Sequence, residues 1–355
     1  MTRPARVIFN PAAVRGNLEI VKARAPGARV LAIVKADGYG HGLIRVARAL
    51  RTADAFGVAS IEEAVRLREA GIEQAVVLLE GPFEASELAE IAVHRLESVV
   101  HNAEQVEWFA RQESLGPLWI KVDTGMHRLG FEPAEVPAVL ARLGQRGRRV
   151  RLMTHFASAH LPGDPGIEQQ LQRFEGVAGT PGHERCLANS SAIIAAPGTH
   201  AEWVRPGLLL YGVSPFADSL GGDLGLEPAM TVTSALISVK TVAAGGNVGY
   251  GKAYRCAHET RIGVVAFGYA DGYPRHAATG TPVLVNGVRT QVLGEASMDM
   301  MTVDLTPVPG ARIGDPVVLW GEGLPVEEIA RHAATIPYDL LCRMRMRAHF
   351  IELAQ

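Results

Sequence analysis

Cysteine is scarce in this chain: three residues in 355 (Cys186, Cys256 and Cys342), odd in number and far apart, with no Cys-x-x-Cys pair. That excludes a disulfide scaffold, offers no zinc-site spacing and suits a reducing compartment. An excess of either charge is also missing. The 35 basic and 37 acidic residues leave a net charge of −2, so nothing draws the chain to nucleic acid or to an anionic membrane. No apolar run is long enough to span a bilayer, and the opening Met-Thr-Arg-Pro-Ala-Arg leads into no signal-peptide core. Internal repeats and low-complexity tails are absent. The expectation is a cytoplasmic protein whose partners are small molecules or other proteins. Its length allows two domains, or one barrel with an appendage.

What the chain does have is rhythm. In its first two-thirds, short apolar runs alternate with amphipathic ones, and eight candidate strands fall near residues 30–34, 55–59, 75–79, 97–100, 118–122, 150–154, 184–188 and 202–205. Helical patterns separate most of them. The clearest is Ile61–Ala70, where Ser60 and Glu63 have capping-box spacing and Gly71 follows as a stop. Strands alternating with helices pair in parallel, and eight such units close into a (β/α)8 barrel of the α/β class. At Gly221–Pro228 the texture changes to a turn-rich joint, and period-2 segments rich in Val, Thr and Ile follow. Asn286-Gly287, between two of these, is a type I′ hairpin signal. The division expected is a barrel over residues 1–228 and a mostly antiparallel β domain over 229–355. Val7–Phe9 is spare, because residues 30–34 already supply the first barrel strand, and it is expected to pair into the β domain.

Barrel enzymes keep their chemistry at the carboxyl ends of the strands. Those ends carry Lys35, Lys121 with Asp123, His155, Asn189 and Arg205. A lysine on a rigid element can form a Schiff base with an aldehyde, although most lysines are merely solvated. What sets Lys35 apart is the stretch Ala32-Ile-Val-Lys-Ala-Asp-Gly-Tyr-Gly-His-Gly42 around it. This closely resembles the pyridoxal-phosphate lysine motif of the alanine racemase family. Further blocks of that family follow in order: residues 121–130, 153–156, 188–191, 205–212, 248–254, 267–275, 296–299 and 337–338.

The resemblance implies a role for each matching residue. Lys35 would hold pyridoxal 5'-phosphate. Tyr39, Ser190, Tyr338 and the backbone N–H groups of Gly207 and Leu208 would contact its phosphate, with Asn189 beside them. Arg128 would reach the cofactor's phenolic oxygen and the substrate carboxylate, a task suited to its fixed donor fork. Arg205 would face the pyridine nitrogen, where most pyridoxal enzymes place a carboxylate. His155 would link Arg205 to a second catalytic base, Tyr250. Tyr269 and Met298 would line the substrate pocket and its mouth. Lys121 matches a lysine often carbamylated by CO₂, and no metal is implied. Two departures stand out: His127 where the family often has Gly, and Ser297 where many relatives have Cys. The reading is a two-base racemase interconverting L- and D-alanine, built as a homodimer in which each copy lends Tyr250 to the other. A broad-specificity or serine-directed racemase on the same scaffold stays open at this point. A decarboxylase of the related barrel group would need a late cysteine motif that is not found, and the β domain bearing Tyr250 speaks against a non-enzymatic cofactor carrier.

Overall fold

The computed structural model describes residues 3–112, 115–144, 148–161, 163–178, 182–344 and 347–354. Strand β1 (Arg6–Phe9) stands apart from the eight that follow. Those are β2 (Arg29–Ile33), β3 (Ala55–Val58), β4 (Ala75–Leu78), β5 (Glu97–Val100), β6 (Leu118–Lys121), β7 (Val150–Met153), β8 (Arg185–Asn189) and β9 (Trp203–Arg205). They pair in parallel and close into a barrel, β9 returning to β2. Packed between the barrel interior and the surrounding helices, β3 and β7 are buried along their whole length, and β3 reads as a continuous apolar run.

β5 opens on Glu97 because that residue feeds an ion cluster at the amino-terminal end of the barrel. Arg151 donates to Glu97 at 2.6 Å and to Glu184 at 2.7 Å, and its guanidinium lies 4.7 Å from the Trp119 ring and 5.2 Å from that of Trp203. The two indole N–H groups bond the same carboxylates, Trp119 to Glu97 at 2.6 Å and Trp203 to Glu184 at 3.0 Å. A charged plug thus fills one end of the barrel and leaves the other for a cavity.

The rest of the chain builds an eight-stranded sheet around β10 (Met230–Val242). β10 pairs antiparallel with Thr260–Val265, Pro316–Trp320 and β1. β1 is therefore a sheet strand, as expected for Val7–Phe9, and its other edge pairs in parallel with His349–Glu352. Asn286 and Gly287 both have positive φ, 51° and 77°, in the tight turn between Val285 and Val288, the backbone of a type I′ hairpin. One helix start differs from expectation. The helix Ile61–Glu69 begins after Ser60, but Ser60 makes no side-chain cap bond. Glu63 instead accepts the backbone N–H groups of Ala59 (2.9 Å) and Ala36 (2.8 Å), reaching the loop that follows β2. No helix among the described residues is long and apolar enough to cross a membrane.

Candidate active site

Beyond β2 the backbone turns left-handed. Ala36, Asp37, Gly38 and Tyr39 have φ of 55°, 53°, 62° and 49°. Each L-residue in that state costs about 1–2 kcal/mol, so the loop must be held by its surroundings. Glu63 takes the Ala36 N–H, and Asp37 accepts the Leu43 N–H at 3.0 Å. From inside, the His41 Nδ1–H donates to the carbonyls of Tyr39 (2.8 Å) and Gly38 (3.1 Å). Burial pushes His41 down to about 4, so the ring stays neutral and keeps this role. Gly40 has φ 77°, and a Cβ there would lie 2.1 Å from the Leu341 carbonyl, which locks the loop against Pro337–Cys342. The outcome is that Lys35 and Tyr39 both face the open end of the barrel.

They meet a cavity of about 680 Å³ whose wall includes Lys121, Arg128, His155, Asn189, Ser190, Arg205, Gly207 and Tyr338. Tyr39 stacks on Tyr211 with centroids 4.7 Å apart, and the Tyr211 hydroxyl donates to the Ile33 carbonyl at 2.9 Å. Burial raises the Tyr39 phenol far above its ordinary range, so it remains a donor. Ser190 accepts the Gly207 N–H at 2.9 Å, and a Cβ on Gly207 would fall 2.6 Å from the Tyr39 hydroxyl. These groups form a close-set cradle with no spare room. Asn189 caps the helix Ser190–Ala195, accepting the Ala192 N–H at 3.1 Å.

The deep wall is positively charged. Arg205, 5% exposed, donates to the Thr154 carbonyl at 2.9 Å, to His155 Nδ1 at 3.0 Å and to the Cys186 thiol at 3.1 Å. Because a guanidinium only donates, Nδ1 must accept, and the proton of a neutral His155 ring sits on Nε2. Burial, then the charges of Arg205, Lys121, Arg128 and Lys35, hold that ring neutral by pushing its pKa down to about 2. Lys121 is pushed well below its ordinary value by burial first and by Arg205 and Arg128 next. On the loop between them, His127 has φ 54°, a conformation in which glycine carries no Cβ penalty.

Ten of the expected residues therefore share one cavity: Lys35, Tyr39, Lys121, Arg128, His155, Asn189, Ser190, Arg205, Gly207 and Tyr338. Leu208 is buried beside it. Three are elsewhere: Tyr250, Tyr269 and Met298 are 78%, 38% and 53% exposed on the sheet portion of the chain. The sequence reading gave no site role to Glu63, Tyr211 or Cys342. Cys342 lines the cavity one helical turn after Tyr338, and only that i, i+4 spacing could have pointed to it.

A parallel barrel with two lysines, two arginines and two phenols around the cavity at its open end, followed by an antiparallel sheet, has the build of a barrel enzyme acting on a small molecule. The family profile "Alanine racemase, N-terminal domain" matches residues 9–215 and "Alanine racemase, C-terminal domain" matches residues 229–351. The alanine racemase of Nitrosospira multiformis is 49% identical over 352 residues, covering 98% of this chain and 99% of that protein. The biosynthetic alanine racemase of Escherichia coli O6:H1 is 47% identical, covering 97% of both. The crystal structure of the biosynthetic alanine racemase from Pseudomonas aeruginosa superposes with a TM-score of 0.96 at 45% identity, covering 99% of this chain and 100% of that one. The chain belongs to the alanine racemase family, and its function is that of the family, an isomerase interconverting L- and D-alanine.

Proposed function

We propose that the chain racemises alanine with pyridoxal phosphate held on Lys35, using Lys35 and Tyr250 as opposed bases, with Tyr250 lent by a second copy of the chain. The chemistry of the cavity wall carries this reading. Lys35, Arg128 and Arg205 line it, and Glu80 is the one carboxylate among its described lining residues. The Tyr39 and Ser190 hydroxyls offer donors to a phosphate, and Ser190, which holds the Gly207 N–H, keeps that amide beside them. Pyridoxal phosphate, when bound, supplies an electron sink for a carbanion next to the substrate amine.

The protein's residues do the rest. Lys35 would hold the cofactor's aldehyde carbon; Tyr39, Ser190, Gly207, Leu208 and Tyr338 its phosphate. Arg205 would present a cation to the ring nitrogen and so disfavour its protonation, which favours return of a proton over transamination. Arg128 would clamp the substrate carboxylate. Racemisation removes a proton from one face and delivers one to the other, and a single base tends to return the proton it took. Lys35 Nζ serves one face and Tyr250 Oη the other. His155, with its proton on Nε2, would steady the phenolate of Tyr250. Lys121, disfavoured as an ammonium, adds to CO₂ through its neutral amine, losing a proton, and the carbamate pairs with Arg128. Tyr269 and Met298 would close the substrate pocket from the partner's side. We place the enzyme in the cytoplasm, where the free thiols of Cys186, Cys256 and Cys342 persist.

The solvent-facing position of Tyr250 makes the shared site testable. Lys35→Ala and Tyr250→Phe homodimers should each be nearly inactive. Random subunit exchange between them should restore about a quarter of parental activity, since half of the dimers would hold one intact site of two. No recovery despite demonstrated exchange would overturn the shared site.

A further inference from the structure

Tyr269 and Met298 lie on two different loops, and the loops are bound to each other. The Tyr269 N–H donates to the Ser297 carbonyl at 3.1 Å and the Ala270 N–H to the Met298 carbonyl at 3.0 Å. Beneath them lies Asp271, whose side chain is wholly buried. One of its oxygens accepts the Gly268 N–H at 2.9 Å and Arg3 Nη2 at 2.8 Å; the other faces Arg347 Nε at 3.4 Å. The same two arginines hold the second loop. Arg3 Nη2 donates to the Asp299 carbonyl at 2.6 Å, and Arg347 Nη2 to the Asp299 carboxylate at 2.6 Å. Two cations and two anions from four distant parts of the chain close a neutral box under both loops.

A buried carboxylate is an expensive way to support a turn. It contributes little net stability, and its partners must be in place or the charge is stranded. What such a box does well is fix direction, because its hydrogen bonds are charge-assisted and aimed, while Arg347 Nε at 3.4 Å adds charge pairing alone to the second Asp271 oxygen. We propose that the Arg3–Asp271–Arg347–Asp299 box is a positioning device that sets Tyr269 and Met298 against the cavity of the partner copy and so limits the size of the substrate side chain. The inference rests on the shared-site reading. It makes Arg3, near the start of the chain and far in sequence from every cavity residue, a determinant of specificity.

The test uses cofactor-loaded dimers and the ratio of kcat/KM for L-serine to that for L-alanine, which does not depend on the fraction of active enzyme. Arg3→Ala removes a side chain that is 29% exposed. It should raise the KM for alanine about fivefold and the serine ratio at least about threefold, with kcat changed less than about twofold. Arg3→Lys, which can still donate to Asp271 and Asp299, should return both values toward those of the parent. Equal loss on both substrates, or an unchanged ratio in both Arg3→Ala and Asp299→Asn, would overturn the proposal. Heterodimers separate this outcome from failure of the shared site. Arg3→Ala placed on the Lys35→Ala subunit, which lends its loops to the intact site, should shift the ratio. The same change on the Tyr250→Phe subunit should not. If neither heterodimer is active, the shared site fails; if both are active with the same ratio, the box fails.

Discussion

Replacing Arg205 with glutamate should abolish most racemisation while leaving the cofactor bound. The guanidinium is 5% exposed and satisfies the Thr154 carbonyl, His155 Nδ1 and the Cys186 thiol at 2.9, 3.0 and 3.1 Å. Removing one preorganised electrostatic contact costs about 3 kcal/mol in the barrier. At about 1.4 kcal/mol per tenfold, kcat should fall about 100-fold. The substitution also acts on His155. Burial contributes most to keeping that ring neutral and the charge of Arg205 contributes next, so an introduced carboxylate reverses the second effect and raises the pKa. A ring that gains a proton on Nδ1 as pH falls should give the variant a new acid limb that the parent lacks. Racemisation would be followed by circular dichroism from both enantiomers, with pyruvate yield reporting transamination and an absorption scan reporting long-wavelength species. Both should rise relative to racemisation. Arg205→Lys keeps the charge without the fork and should fall between. Racemisation within threefold of the parent, with no new absorbance, in protein shown to be folded and cofactor-loaded, would remove Arg205 from the mechanism.

Borohydride reduction followed by peptide mapping should label Lys35, and Lys35→Ala should bind cofactor without a trappable linkage; label on another lysine would refute the assignment. With ¹³C-bicarbonate at neutral pH, the parent should show a carbamate resonance that Lys121→Ala lacks, and its absence from the parent would leave Lys121 as a plain amine. Arg151→Met should lower unfolding free energy in urea by about 3–5 kcal/mol, because it strands the buried Glu97 carboxylate; a loss under about 1 kcal/mol would mean that the cluster is not coupled. Burial alone would raise Glu184, but hydrogen bonds from Arg29, Trp203, Arg151 and Arg149 hold it well below its ordinary value. Its contribution to stability is thus complete above the unfolded value of about 4.3 and is lost as pH falls below it, and Arg151→Met should make the acid side of the stability profile shallower.

Most of the barrel was legible because parallel strands buried on both faces leave unbroken apolar runs, and the Asn286-Gly287 turn because few residues tolerate its backbone. β5 breaks that pattern: Glu97 is polar because it joins Arg151 and Trp119 in an ion cluster, and the buried Ser98 hydroxyl is satisfied by the Val99 carbonyl. Glu63 shows how local grammar misleads. Its spacing from Ser60 signals a cap, yet its carboxylate serves the Ala36 N–H on another element, a contact no window of sequence contains. Lys35, Arg205 and their neighbours stood out through the family blocks, and the fold gathers them. Tyr250, Tyr269 and Met298 stood out in the same way, but a single chain leaves them facing solvent. Tyr211 and Cys342 carried no signal beyond ordinary apolar patterning.

The place of β1 in the sheet has a consequence for how the molecule is made. Arg6–Phe9 is synthesised before both of its neighbours, one of which runs through Met230–Thr233 and the other through His349–Glu352. The barrel strands can pair while β1 still lacks both neighbours, and its second edge stays open until His349–Glu352 is in place. A product halted before His349 would thus carry a complete barrel and a sheet with a bare edge, the kind of surface on which one nascent chain recruits another.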